Sequence, residues 1–292
     1  MFTVTALAAP TRADLSEAHL DPLRRDWQGG ARLWLAPGIA AEFTVLARPA
    51  DFDTRADALR AQGFDLAIQP SDGRRKSLLL ADMDSTMIGQ ECIDELAAEA
   101  GVGPRVADIT ARAMNGELNF NEALTERVGL LAGLPESVIA RVLDQRITLA
   151  PGGPVLIATM RALGAHTVLV SGGFTAFTGV IAKRLGFHEH HANTLLAEGG
   201  TLTGQVALPI LGRQAKLDTL HAVSARLGIT PAQAMAVGDG ANDLAMIEAA
   251  GAGIALHAKP VVAAQAPIRI DHGDLTALLY LQGIGADAFV HP

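Results

Sequence analysis

The sequence predicts an α/β protein: a doubly wound parallel sheet with a helical insert after its first strand, preceded by a smaller α+β domain. Three observations carry this reading. Short apolar runs that do not alternate with polar residues, such as Leu78-Leu79-Leu80 and Val168-Leu169-Val170, suit strands covered on both faces of a parallel sheet. The stretch 88–150, between the first and second of these strands, reads as helix. Ahead of them the order is strand, helix, strand, strand, helix, strand, which is the split βαβ arrangement of ferredoxin-like domains.

Taken in order, the first part has strands near 2–8, 31–35, 42–46 and 65–69 and helices near 15–26 and 54–62. Pro37-Gly38 is the turn between the two middle strands. A break follows at Pro70-Ser71-Asp72-Gly73-Arg74-Arg75-Lys76. Core strands are expected near 77–81, 167–170, 234–237, 252–256 and 268–270. The insert holds helices near 91–100, 105–114, 119–131 and 135–143, punctuated by Gly101, Gly116 and Gly133. An insert directly after the first strand sits over the strand ends where open α/β sheets bind ligands, so it is a candidate cap. The division is therefore 1–72, a core of 77–87 and 151–292, and a cap of 88–150.

A chain of 292 residues has length for about two domains. With 49% hydrophobic and 18% charged residues it is too apolar for a disordered protein. A net charge of −8 argues against a general nucleic-acid binder. The one compact basic run, Arg74-Arg75-Lys76, reads as a solvated linker. A single cysteine, Cys92, allows no disulfide within the monomer and fits a reducing compartment. No apolar run reaches the ~18 residues of a membrane span. The apolar start lacks the basic residues of a signal peptide, so it reads as a strand of a cytoplasmic protein.

The chemistry concentrates at strand ends. Asp82 and Asp84 leave the apolar run 77–81. A turn after the strand would bring both to one pocket. One carboxylate can then act as nucleophile and the other as general acid and base. The plain alternative is a turn with Asp as a helix cap. Gly238-Asp239-Gly240-Ala241-Asn242-Asp243 follows the run 234–237. Its oxygen donors suit Mg²⁺, although a Gly-Asp turn capping the next helix also fits. Ser171-Gly172-Gly173 ends the strand near 167–170 and offers a hydroxyl and backbone N–H groups to an anion, or an ordinary cap. Lys216 is a point charge adequate for phosphate. Three strand ends thus place carboxylates, a Ser-Gly turn and carboxylates on one rim, a constellation for Mg²⁺ and phosphate.

These four segments resemble the motifs of the haloacid-dehalogenase-like phosphatases, and the likeness runs over residues 77 to 285. Within that family they resemble the branch that hydrolyses phosphoserine: Asp82 to Ile88 followed by Glu91, Phe120 and Arg127 in the cap, Ala192-Asn193-Thr194-Leu195, Leu202-Thr203-Gly204, and Gly238 to Ile247. The resemblance implies hydrolysis of O-phospho-L-serine to L-serine and phosphate, the last step of serine biosynthesis, through an aspartyl-phosphate. It implies Asp82 as nucleophile and Asp84 as acid and base. It implies Mg²⁺ on Asp82, the Asp84 carbonyl and Asp239, with Asp243 and Asn242 in support. Ser171, Gly172 and Lys216 would hold the phosphoryl oxygens. Glu91 would take the substrate ammonium, Arg127 its carboxylate in a bidentate pair, and Phe120 would exclude water. A sibling phosphatase or a phosphotransferase is the rival within the same chemistry.

Bacterial relatives of the family often carry an ACT-like domain at the N-terminus, and the strand order read above agrees with one. Such a domain binds an amino acid or pairs subunits into a homodimer. The Gly-rich turn used for ligand is not evident before residue 72, which favours pairing. His188, His190 and His191 form a His-x-His-His cluster expected in a loop away from the acidic rim, without partners for zinc. Cys92 reads as a small buried hydrophobe, and Met83, Met87, Met114 and Met246 as packing.

Overall fold

The computed structural model describes residues 1–114 and 117–292, with the side chains of 113 and 114 excepted. Gly116 and the side chain of Met114 therefore lie outside the described residues. The chain opens with β1 (Phe2–Ala8), α1 (Glu17–Asp26), β2 (Leu33–Ala36), β3 (Ala40–Val45), α2 (Phe52–Arg60) and β4 (Phe64–Pro70). These strands form an antiparallel sheet in the order β2-β3-β1-β4, the ferredoxin-like arrangement. Leu20, Leu23, Phe52, Ala56 and Leu59 of the two helices pack onto Val4, Phe43, Phe64 and Leu66 of the sheet.

The second sheet begins with β5 (Leu78–Ala81), whose four residues are wholly buried. The insert follows: α3 (Cys92–Glu99), α4 (Gly103–Met114), α5 (Phe120–Gly129) and α6 (Ser137–Gln145). The chain returns through α7 (Gly153–Ala162) to β6 (His166–Phe174), α8 (Thr175–Leu185) and β7 (Glu189–Asn193). A two-stranded hairpin, β8 (Leu195–Glu198) and β9 (Thr201–Val206), precedes α9 (Arg213–Arg226). The remaining elements are β10 (Ala234–Gly238), α10 (Leu244–Ala249), β11 (Ala252–Leu256), α11 (Pro260–Ala263), β12 (Ile268–Ile270) and α12 (Ala277–Tyr280). The six strands run parallel in the order β12-β11-β10-β5-β6-β7. The chain winds outward from β5 on one side through β6 and β7, and on the other through β10 and β11. The carboxyl ends of β5, β6 and β10 thus meet where the winding reverses, the place for a ligand in such sheets.

The start of α5 is set by its own sequence. Asn119 Oδ1 accepts the Glu122 N–H at 3.0 Å, and Glu122 Oε2 accepts the Asn119 N–H at 2.8 Å. This reciprocal cap satisfies two donors at the helix start and holds Phe120 at the first helical position.

Two expectations need correction, and one element goes beyond them. Arg74 is not a solvated linker residue: its guanidinium pairs with Glu42 at 2.5 Å, and its Nε donates to the Leu281 carbonyl at 3.0 Å. Lys76 Nζ donates to the Gly73 and Ala232 carbonyls, and only Arg75 of the run is exposed. The histidine cluster is a loop only at His188. His190 and His191 lie on the edge strand β7, and their neighbours are Thr178 at 2.9 Å and Glu189 at 3.5 Å respectively. The hairpin of β8 and β9 was not expected. It docks on the insert through main-chain bonds: Gly133 N–H to Leu202 O at 2.9 Å, Leu202 N–H to Leu134 O and Glu136 N–H to Gly200 O at 2.8 Å each.

The two sheets are joined by a buried carboxylate. Asp65 on β4 is fully buried and accepts the N–H groups of Asp271, His272 and Gly273 at 2.9, 2.9 and 2.8 Å, just beyond β12.

Candidate active site

Asp82 continues the β5 ladder, its N–H donating to the Val237 carbonyl at 3.0 Å. The chain then turns tightly. The N–H groups of Thr86, Met87 and Ile88 converge on the Met83 carbonyl at 3.3, 2.9 and 3.0 Å, and Ser85 takes a left-handed φ of 54°. Asp82 and Asp84 line the same cavity of about 700 Å³.

Their surroundings differ. Asp82 Oδ1 accepts from Lys216 Nζ at 2.6 Å, and the same ammonium reaches Asp243 Oδ1 at 2.5 Å. Lys216 is 1% exposed, so it sits beneath the carboxylates rather than in the open cavity. Burial lowers the Lys216 pKa, but Asp243 and Asp82 outweigh it and hold the ammonium above its ordinary range. Burial and then Asp243 push Asp82 upward against the opposing pull of Lys216. Asp84 instead accepts the Cys92 N–H at 2.8 Å on Oδ1 and the Ser171 hydroxyl at 3.0 Å on Oδ2. Burial first, and Glu91 second, raise its pKa. Two carboxylates held so differently can divide nucleophile and acid between them.

Asp82, Asp239 and Asp243 bring carboxylate oxygens within 4.8 Å of one another. Asp239 is pushed up to about 6 by burial, then by Asp243 and Glu91. Thr86 Oγ1 donates to it at 3.3 Å. Asp243 Oδ2 accepts the Gly240 N–H at 3.0 Å. Close approach dictates two glycines. A Cβ at Gly238 would stand 2.3 Å from Asp243 Cγ, and one at Gly173 would stand 2.8 Å from Asp84 Oδ2.

The insert closes the other side. Glu91, Phe120 and Arg127 all line the cavity, as does Asn242 from the β10 end. Glu91 Oε1 accepts from Ser85 Oγ at 2.6 Å. Arg127 is tethered through Nε to the Ala123 carbonyl at 3.2 Å, leaving the rest of its fork free of protein hydrogen bonds among the described residues. Burial lowers the Arg127 pKa, while Asp94 and Glu91 oppose the shift. Phe120 bridges insert and core: a Cβ at Gly172 would meet its ring at 3.2 Å and one at Gly212 at 3.1 Å. Every sequence-predicted site residue therefore gathers at one place. Gly172 lines the cavity, while Ser171 and Lys216 lie just behind its wall.

Two lining cations went unread in the sequence, Arg213 and Lys259. Arg213 stands three residues before Lys216 on α9, hence on the same helix face. Lys259 follows the end of β11, so the strand-end rule applied to one more strand finds it.

The haloacid dehalogenase-like hydrolase family model matches residues 79–248. A phosphoserine phosphatase of Streptomyces coelicolor is 41% identical over 291 residues, spanning 96% of this chain and 70% of the relative. The crystal structure of a haloacid dehalogenase family hydrolase from Salmonella enterica serovar Typhi has a TM-score of 0.87 and 32% identity, covering 96% of this chain and 98% of that one. A phospho-aspartyl intermediate analogue structure of phosphoserine phosphatase has a TM-score of 0.66 and 40% identity, covering 70% of this chain and 98% of that one. With two differently held carboxylates on one rim and likeness of this extent, the chain belongs to the haloacid dehalogenase-like hydrolases, within the phosphoserine phosphatase family.

Proposed function

We propose that the chain hydrolyses O-phospho-L-serine to L-serine and phosphate through an aspartyl-phosphate, the last step of serine biosynthesis. The observation that carries the reading is the pairing, across one cavity, of Asp82 and Asp84 with the oppositely charged Glu91 and Arg127 of the insert. The phosphate meets the first pair, and the ammonium and carboxylate of serine meet the second.

In this reading Asp82 attacks phosphorus. A bond forms between its carboxylate oxygen and phosphorus, and the bond from phosphorus to the serine oxygen breaks. Asp84, held toward its protonated form by burial, gives its proton to that leaving oxygen. It then takes a proton from water, whose oxygen displaces Asp82 from phosphorus. Ser171, the Gly172 N–H and the Lys216 ammonium stabilise the charge on the phosphoryl oxygens. The residues present fit a magnesium ion: the three clustered carboxylates are a hard, all-oxygen donor set, and Asp82, Asp239 and the Asp84 carbonyl would hold it, with Asp243 and Asn242 in support. When bound, the ion supplies positive charge to the phosphoryl oxygens and to the nucleophile.

Residues 88–150 act as the cap over a core of 77–87 and 151–292. Residues 1–72 form the ACT-like domain. Its sheet leaves β2 as an edge strand with Leu33 exposed, which supports pairing into a homodimer. Among the described residues no helix is long and apolar enough to cross a membrane.

The test is phosphate release from phospho-L-serine, phosphothreonine, phosphoethanolamine and an aryl phosphate, with Mg²⁺ and with EDTA. Preference for phospho-L-serine that EDTA abolishes is expected. Mg²⁺-dependent release with no such preference would retain Asp82 and remove the roles of Glu91 and Arg127.

A further inference from the structure

β6 and β7 stay in register as far as Val170 opposite His191, and pairing resumes at Phe174 opposite Asn193. Ser171, Gly172 and Gly173 on one strand thus face Ala192 alone on the other. The bulge throws the Ser-Gly-Gly turn toward the cavity, which Gly172 and Gly173 line. It also takes the turn's main chain out of the ladder, and a buried carbonyl needs another partner. Asn193, 2% exposed, supplies it: its Nδ2 donates to the Gly172 carbonyl at 2.8 Å.

That bond is one end of a continuous chain. The peptide whose carbonyl Asn193 holds has the Gly173 N–H on its other side, and this donates to Ser171 Oγ at 2.8 Å. The Ser171 hydroxyl in turn donates to Asp84 Oδ2 at 3.0 Å. The same Asn193 amide also grips a second segment. Nδ2 donates to the Leu211 carbonyl at 3.1 Å and Oδ1 accepts the Leu211 N–H at 2.7 Å. Leu211 leads through Gly212 into α9, which carries the cavity cation Arg213 and the Lys216 ammonium against Asp82. One buried side chain therefore ties together the two segments that surround the phosphoryl position, without itself lining the cavity.

We propose that Asn193 is a positioning residue for phosphoryl transfer, holding the Ser171-Gly172-Gly173 turn and the start of α9 in mutual register. The proposal rests on the reading above that Ser171, Gly172 and Lys216 hold the phosphoryl group. It assigns Asn193 to the phosphate end of the ligand only. Glu91 and Arg127 share no hydrogen bond with it, so the amino-acid end is read independently.

The experiment compares wild type, Asn193→Ala and Asn193→Asp as full chains with Mg²⁺. It reads inhibition constants for inorganic phosphate and for L-serine, kcat on phospho-L-serine and on an aryl phosphate, and the unfolding temperature. Asn193→Asp keeps the shape and the acceptor for Leu211 and loses both donations, which guards against a misfolded alanine variant. Expected is an inhibition constant for phosphate raised about tenfold, the loss of one good hydrogen bond. A kcat lowered about a hundredfold on both esters is expected from misplacing the turn. The L-serine constant should stay put. Unchanged phosphate inhibition and kcat would overturn the proposal, as would phosphate and serine constants rising together in step with a lower unfolding temperature. If wild type hydrolyses the aryl phosphate and not phospho-L-serine, the substrate reading fails and the Asn193 comparison still stands on the aryl ester. Hydrolysis of neither overturns both.

Discussion

Lys216 Nζ stands 2.6 Å from Asp82 Oδ1 in a setting where neither group meets solvent freely. The ammonium is shared with Asp243, so one cation serves two buried carboxylates. Removing a single member of such a group leaves uncompensated charge. Lys216→Met is therefore expected to destabilise the metal-free protein by about 3–5 kcal/mol. Urea unfolding in EDTA checks this. A loss below about 1 kcal/mol, the range of exposed pairs, would mean that the site relaxes around the missing charge.

Asp239 gives the metal-free protein a pH dependence of definite sign. Its folded pKa of about 6 lies above the ordinary 3.8, so the folded state binds more protons than the unfolded one between these values. Stability from this group is present at low pH and is lost as pH rises through 6. His188 acts oppositely, since burial and then His166 and Arg161 hold its pKa below the ordinary value. The quantity to measure is thus a difference. Without metal, wild type should gain more in unfolding temperature than Asp239→Asn on going from pH 7.5 to pH 5. The contribution over this pH interval is about 1.4 kcal/mol. Equal gains in the two proteins would contradict the assignment.

Arg127 lines the cavity and has one nitrogen committed to its own helix. Arg127→Lys keeps the charge and loses the paired geometry. A hydrogen bond to a charged group contributes about 1.5–3 kcal/mol. The expected result is a loss of kcat/KM on phospho-L-serine of tenfold or more at about 1.4 kcal/mol per decade, with an aryl phosphate nearly unaffected. Equal losses on both esters would show that Arg127 acts on the phosphate instead.

Cys92 is 1% exposed, and burial together with Asp84 pushes its thiol pKa far up. A thiol that is neither ionised nor reachable does not attack disulfides. A thiol-reactive dye should leave the folded protein unmodified and should label one site per chain after denaturation. Rapid labelling of the native protein would mean that α3 opens readily.

How much of this was legible depended on where the partners lay along the chain. The strand ends of β5, β6 and β10 could be read because an apolar run followed at once by acid or Ser-Gly is a local signal. β7 could not. It is an edge strand whose residues Glu189-His190-His191-Ala192-Asn193 alternate weakly, the first three partly exposed and the last two buried, so composition reads it as loop. The β8–β9 hairpin, with Gly199-Gly200 at its turn, carried a turn signal that its exposed strands obscured. Arg74 was misread because Glu42 is 32 positions away and Leu281 is 207, beyond what a charge run reveals. Asn193 appeared in the sequence only as part of a pattern. Its meaning comes from a bulge that no local rule announces.

The nest that Asp65 fills beside β12 has a consequence for how the molecule comes apart. Three main-chain donors from the last strand's exit are satisfied by a residue that belongs to the first seventy, and a lone buried carboxylate or three orphaned amides would each be costly. The Pro-Ser-Asp-Gly stretch is therefore a seam in the sequence and not a line of weakness. Excising the leading segment would strip the trailing edge of its anchor, and the two sheets should melt in a single transition. Evolution or engineering that trades this leading domain for another must also redesign residues 271–273.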